Sequence, residues 1–273
     1  MKKTAVCIII ILCVFYVSCE SLFERAGKNR TFEQTYGANV NASSSSQRRS
    51  SNSTSQSSNN NTNSRAAQDT ANWNIAALDT AANVSYLTNI EKDVILETNM
   101  VRTNPRKYAE LYLQPRLKYF NGRNYSVPGQ ITIATKEGAS AVSSCITALN
   151  RASAVGVLTP ESGLSRAAKD HVTDQSRTGQ TGHNGSNRST PESRIKQHGT
   201  FGRSYTFGEN IAYGDTTGRD IVCSLLIDDG VPGRGHRTNI MNGAFTQTGV
   251  AFGTHKQYRT SCTITYANGY TSK

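Results

Sequence analysis

For residues 81–273 the sequence predicts one layered α+β domain, and three observations predict it. Capping signals open runs with helical spacing, stretches of alternating residues near the C-terminus read as strands, and a core-poor stretch sets both apart from the N-terminus. The whole chain has 273 residues with 36% hydrophobic residues, below the usual globular range, so part of it is short of core formers.

The first element is an apolar run, Ala5 to Val17, preceded by Lys2 and Lys3. Its thirteen residues match a signal-peptide core and are too few to span a bilayer. Residues 1–19 are therefore expected to be an export signal, ending at Val17-Ser18-Cys19. Cleavage before Cys19 with lipidation of that thiol, or cleavage after it, both fit; Tyr16 stands where bacterial lipoprotein signals usually carry Leu. Residues 20–80 follow as a tether, because Asn41 to Ser64 is almost entirely Ser, Asn, Thr and Gln and has no apolar surface to offset the entropy of ordering. Sequons at Asn29, Asn41, Asn52 and Asn60 matter only in a glycosylating organism.

Within the domain, Thr88 and Glu91 form a capping box ahead of Val94 and Val101, and Asn104-Pro105 ends that helix and starts a short one to Leu113. A loop rich in Gly, Asn and Pro separates these from a helix over about 137–151, whose apolar face includes Cys145. A further helix is expected to begin at Thr159-Pro160-Glu161 and to carry Leu164, Ala168, His171 and Val172 inward, which makes His171 a core or cleft-wall histidine. Thr217 and Asp220 cap a helix that ends near Gly230. Gly249 to Gly253 and Arg259 to Ala267 read as strands, the second alternating Cys262, Ile264 and Tyr266 with Thr263 and Thr265. Of the cysteines beyond the signal, Cys223 and Cys262 are expected to pair, one on a helix over the sheet and one within it, leaving Cys145 reduced. No Cys-x-x-Cys spacing is present.

Thirty Lys and Arg against nineteen Asp and Glu give a net charge of +11, which favours acidic partners. The charge is not interleaved with aromatics in a run and no nucleic-acid-binding motif is visible, so nucleic acid is not an expected partner; envelope polymers and anionic glycans are.

Four polar positions stand in unusual company: His183 in Gly182-His183-Asn184-Gly185, Glu209 in Gly208-Glu209-Asn210-Ile211-Ala212-Tyr213-Gly214, the pair Asp228-Asp229, and His236 in Gly235-His236-Arg237-Thr238-Asn239-Ile240-Met241. In that order, over about Leu87 to Ala267, the sequence resembles the bacterial-type branch of the CAP superfamily, the cysteine-rich secretory, antigen 5 and pathogenesis-related 1 proteins. The resemblance implies a three-layer α-β-α sandwich whose cleft holds two His and two acids. Residue by residue it assigns His183, Glu209 and His236; the second acid departs from the family's Glu and falls on Asp229, or on Asp228 in its place. The many disulfides and Cys-rich extension of eukaryotic members are missing, so their channel-blocking roles do not carry over.

Two imidazoles with carboxylates suit Zn²⁺ or another divalent ion, or a general acid/base pair, or a buried hydrogen-bonded network that holds loops together. Nucleophile settings such as Gly-x-Ser-x-Gly and the His-Glu-x-x-His zinc motif are absent. The expected function is thus an extracellular binding module for a lipid, glycan or host component. A metal-dependent hydrolase or protease using His183, Glu209, Asp229 and His236, and a structural envelope protein with no ligand, are the alternatives. His198 and His255 lie among turn residues with no role assigned, and Arg237 either pairs with an acid of the site or is a solvated surface residue.

Overall fold

The computed structural model describes residues 73–273. The apolar run, Cys19, the Ser/Asn stretch and the sequons at Asn29, Asn41, Asn52 and Asn60 lie outside the described residues. Residues 76–273 belong to one compact unit. Leu78 and Thr80, expected at the end of the tether, are tied into it: Asn99 Nδ2 donates to the Leu78 carbonyl at 2.9 Å and Thr80 Oγ1 to the Leu158 carbonyl at 2.7 Å.

The first helices begin at the polar residues that the sequence offers as caps. Helix α1 (Asn89–Thr103) opens with the Thr88 backbone N–H donating to Glu91 at 2.7 Å, and α2 (Pro105–Tyr108) follows at the Asn104-Pro105 break. A π-turn, Ala109–Leu113, and a 3₁₀ segment, Gln114–Tyr119, lead into three two-residue strands, β1 (Phe120–Asn121), β2 (Asn124–Tyr125) and β3 (Ile133–Ala134), which form a small antiparallel sheet. Helix α3 (Ala139–Arg151) buries Val142, Cys145 and Leu149. Thr159-Pro160 is strand β4 rather than a helix start, and α4 (Ser162–Thr178) begins just after it. Then come α5 (Pro191–His198), β5 (Gly199–Tyr213), α6 (Gly218–Ile227), α7 (Gly235–Ile240), β6 (Gln247–His255) and β7 (Arg259–Ser272).

The main sheet has the order β4-β6-β7-β5, parallel between β4 and β6 and antiparallel elsewhere. Ala251 and Ala267 face one side of the sheet, and the irregularity at Gly269, φ 62°, brings Tyr270 to the same side, where Leu164, Ala167, Ala168 and Val172 of α4 and Ile195 of α5 cover them. Gly249 makes the close approach possible: a Cβ there would lie 2.1 Å from the Ser165 backbone nitrogen. On the other face α1 and α6 pack together, α1 against β6, and α6 and α7 against β5. The predicted α-β-α layering is present, and among the described residues no helix is long and apolar enough to cross a membrane.

Arg102 sits within this second layer, fully buried, and donates to four carbonyls: Gly156, Ile240, Asn242 and Phe245, at 2.7–2.9 Å. It thereby fixes the C-terminal end of α7 and the turn after it.

The expected Cys223–Cys262 disulfide is not formed; Cys145, Cys223 and Cys262 are all free and buried. The Cys223 sulfur turns toward α2, 3.8 Å from the Tyr108 hydroxyl, while Cys262 is held in the sheet near Glu91 and Asp215. Burial pushes the Cys145 and Cys223 thiols up to about 12 and about 11, so both are un-ionised and unreactive at neutral pH.

Candidate functional site

Glu209 lies on β5 opposite Thr265 of β7, in a stretch from Gly208 to Tyr213 that is buried throughout. Its Oε1 accepts from His183 Nδ1 at 2.9 Å, and its Oε2 accepts from Arg194 Nη2, on α5, at 2.7 Å. A carboxylate only accepts here, so His183 Nδ1 carries a proton and donates it to Glu209. Burial alone would raise the Glu209 carboxyl. The bond from His183 and the Arg194 charge outweigh it, and hold the carboxyl below its ordinary range.

The loop carrying His183 is clamped from several sides. Arg194 donates to the His183 carbonyl at 3.0 and 3.1 Å from its two Nη atoms. His171 Nε2 and Gln175 Nε2 each lie 2.8 Å from the Gly182 carbonyl, and the Gly182 N–H donates to the Tyr213 hydroxyl at 3.1 Å. Burial depresses the His171 pKa, so it is a neutral imidazole in the wall of the site, as its helical position predicts. His255, left without a role by the sequence, has Nε2 3.0 Å from the Gln180 carbonyl and accepts the Gln257 and Tyr258 N–H groups on Nδ1.

His236 makes the second imidazole–carboxylate pair, with Asp228 rather than Asp229. Its Nδ1 donates to Asp228 Oδ1 at 2.6 Å, and the His236 backbone N–H donates to Oδ2 at 3.0 Å. Asp228 closes α6 in the left-handed region, φ 57°, which turns its carboxylate back onto the start of α7. Asp229, the preferred acid in sequence, faces elsewhere: its oxygens accept the Lys136 and Glu137 backbone N–H groups at 2.6 and 2.8 Å and pin the approach to α3. Arg237 is neither paired in the site nor solvated; its Nε and Nη2 donate to the Leu226 and Ile227 carbonyls at 2.6 and 3.1 Å and cap α6.

Asn210 and Asn239 link the two pairs. Asn210 Nδ2 donates to the His236 carbonyl at 3.0 Å, and Asn239 Nδ2 to Asn210 Oδ1 at 2.9 Å and to the Glu209 carbonyl at 3.3 Å. The motif around Glu209 thus has two jobs: its acid holds His183, and its amide holds the backbone of His236. Among the described residues no three His, Cys, Asp or Glu side chains form one metal-binding group. With their oxygens taken by N–H donors, Glu209 and Asp228 orient imidazoles rather than present open carboxylates to an ion.

Residues 117–267, more than half of the chain, match the model of the family described as CAP, cysteine-rich secretory protein family. The chain belongs to the CAP family. Among solved structures this CAP protein is similar to an outer surface protein from Borrelia burgdorferi, at 17% identity and a TM-score of 0.35, over 45% of this chain and 83% of that one. It is also similar to an extracellular protein containing a SCP domain from Bacillus anthracis str. Ames, at 21% identity and a TM-score of 0.32, over 41% of this chain and 34% of that one. Comparison with curated proteins finds no match.

Sequence reasoning missed Arg194, Asn210 and Asn239 as members of the site. Asn210 and Asn239 lie inside the family motifs, which is the signal that marks them. Arg194 sits in Ser193-Arg194-Ile195-Lys196, which reads as an ordinary surface helix, and nothing local marks it.

Proposed function

We propose that this CAP protein is an exported binding module that meets an acidic lipid, glycan or host component outside the cell, held there through Cys19 or released. The observation that carries the reading is the saturation of Glu209. Both its oxygens are engaged, one by His183 and one by Arg194, with its side chain 3% exposed. A carboxylate kept ionised below its ordinary range is a weak general base and no acid. Asp228 is engaged in the same way by His236 and the start of α7. The apolar run Ala5 to Val17 and the net charge of +11 support the export and the preference for acidic partners.

A divalent ion held by His183 and His236 would add positive charge to the cleft; Glu209 and Asp228 would keep both rings aligned by accepting their Nδ1 protons. Cell fractionation with intact-mass analysis tests the reading. The mature chain is expected outside the cytoplasm, without residues 1–18 and with lipid on Cys19, or without residues 1–19. A full-length precursor retained inside the cell contradicts it. So does peptidase or esterase turnover that the H183A/H236A double variant loses.

A further inference from the structure

The small sheet β1–β3 forms an arm that the site does not use. Its stretch, residues 105–136, carries Arg106, Lys107, Arg116, Lys118, Arg123 and Lys136 against a single acid, Glu110. It also carries Leu111 and Ile131, two of the three large apolar side chains exposed among the described residues, with Ile131 at 64%.

The arm is rigidly built. Val127-Pro128-Gly129-Gln130 closes a turn in which the Gln130 N–H donates to the Val127 carbonyl at 3.0 Å, with Gly129 at φ 80°. The Ser126 N–H donates to the Tyr119 carbonyl at 2.9 Å, and the Ser126 and Thr132 hydroxyls bond at 2.8 Å, so the turn that presents Ile131 is anchored to the segment carrying Lys118 and Tyr119. Tyr125 packs on Phe120 and Tyr119 with centroids 4.9 and 6.2 Å apart. Arg116 ties the base to the body, donating to Asp220 of α6 at 2.6 Å and to the Tyr125 hydroxyl at 3.5 Å. Arg106, Lys118 and Arg123 are exposed and in no ion pair among the described residues; Lys118 Nζ lies 4.9 Å from the Tyr119 ring centroid.

We propose that this arm docks on an anionic phospholipid bilayer, Ile131 and Tyr119 entering the headgroup layer and Lys118 and Arg123 meeting lipid phosphates. The proposal rests on the reading of the chain as an exported binding module and names the surface it meets. Charge complementarity selects an acidic partner, and the exposed aliphatic tip selects a bilayer over a soluble polyanion, which offers Ile131 nothing apolar. From Arg123 to Ser126 the chain spans about 10 Å, within one headgroup layer. The fixed turn lowers the ordering cost of insertion.

Flotation of the full chain with phosphatidylcholine vesicles, with and without phosphatidylglycerol, tests this, the N-terminal segment being common to every variant. Wild type is expected to partition more strongly onto the anionic vesicles. K118Q/R123Q should lower that partitioning by roughly fivefold per base and leave neutral vesicles unaffected. Ile131→Ser should lower it by about tenfold, with Ile131→Thr as a second variant should the first fold poorly. Equal partitioning of wild type and variants on anionic vesicles overturns the proposal. So does binding of a soluble polyanion, inositol hexakisphosphate, that matches vesicle binding and ignores Ile131→Ser. Loss of vesicle binding with export intact refutes the arm alone, whereas retention of the precursor inside the cell refutes the binding-module reading alone.

Discussion

Arg194 Nη2 lies 2.7 Å from Glu209 Oε2, and both side chains are 3% exposed. This buried ion pair joins α5 to β5 and also reaches the His183 carbonyl, so one guanidinium sets the acid and the backbone of the histidine it orients. A buried pair is costly to break because the survivor is stranded without water.

Arg194→Ala and Glu209→Ala should each therefore lower stability by about 3–5 kcal/mol, with the double variant losing much less than the sum. Urea denaturation measures all three. Single losses below about 1 kcal/mol would show that the pair does not hold the two elements together.

The pH dependence has opposing parts, best read as differences between variants. His171 is depressed in the fold, so its neutral form contributes stability above about pH 6.5 that is lost as pH falls, the unfolded chain binding the proton more readily. His171→Gln should reduce the loss as pH falls below about 6.5 relative to wild type. Unchanged slopes would show that the ring is not held neutral.

Asp215 works in the other direction. Burial pushes its carboxyl up to about 6, so it penalises the folded state above that pH, and stability falls as pH rises through it. Asp215→Asn should stabilise the protein at pH 8 by about 1–2 kcal/mol and lose that advantage below about pH 4. A variant less stable than wild type at pH 8 would contradict the burial cost.

Four carbonyls depend on Arg102. Arg102→Lys should cost more than about 3 kcal/mol, since one ammonium cannot reproduce the fork, and should disorder the turn after α7 in hydrogen exchange. A near-neutral effect would mean that water replaces the guanidinium.

Thiol mapping separates the two accounts of the cysteines. Cys145, Cys223 and Cys262 should be alkylated only after denaturation, and a Cys223–Cys262 linked peptide under non-reducing conditions would restore the disulfide.

Much of the scaffold was legible because its signals are local. Thr88 with Glu91 and Thr217 with Asp220 announce α1 and α6, and apolar spacing announces α3 and α4. Strand β5 was not, since Gly199, Gly202 and Gly208 interrupt it and Gly208 to Tyr213 are buried throughout, which erases the alternation that reveals β6 and β7. His183, Glu209 and His236 stood out through motifs, but their partners depend on geometry. The choice between Asp228 and Asp229 turns on a left-handed cap that neither residue type declares, and Arg194 meets Glu209 only because α5 folds over β5.

The most direct measurement of the central claim, that the site binds rather than turns over, is a ¹³C NMR titration of the Glu209 carboxyl. Held by His183 and Arg194, it should stay ionised as the pH falls past about 4.3, the ordinary value for Glu. A Glu209 that takes up its proton near pH 6 or above, at about the value of a working general acid or base, would contradict the account.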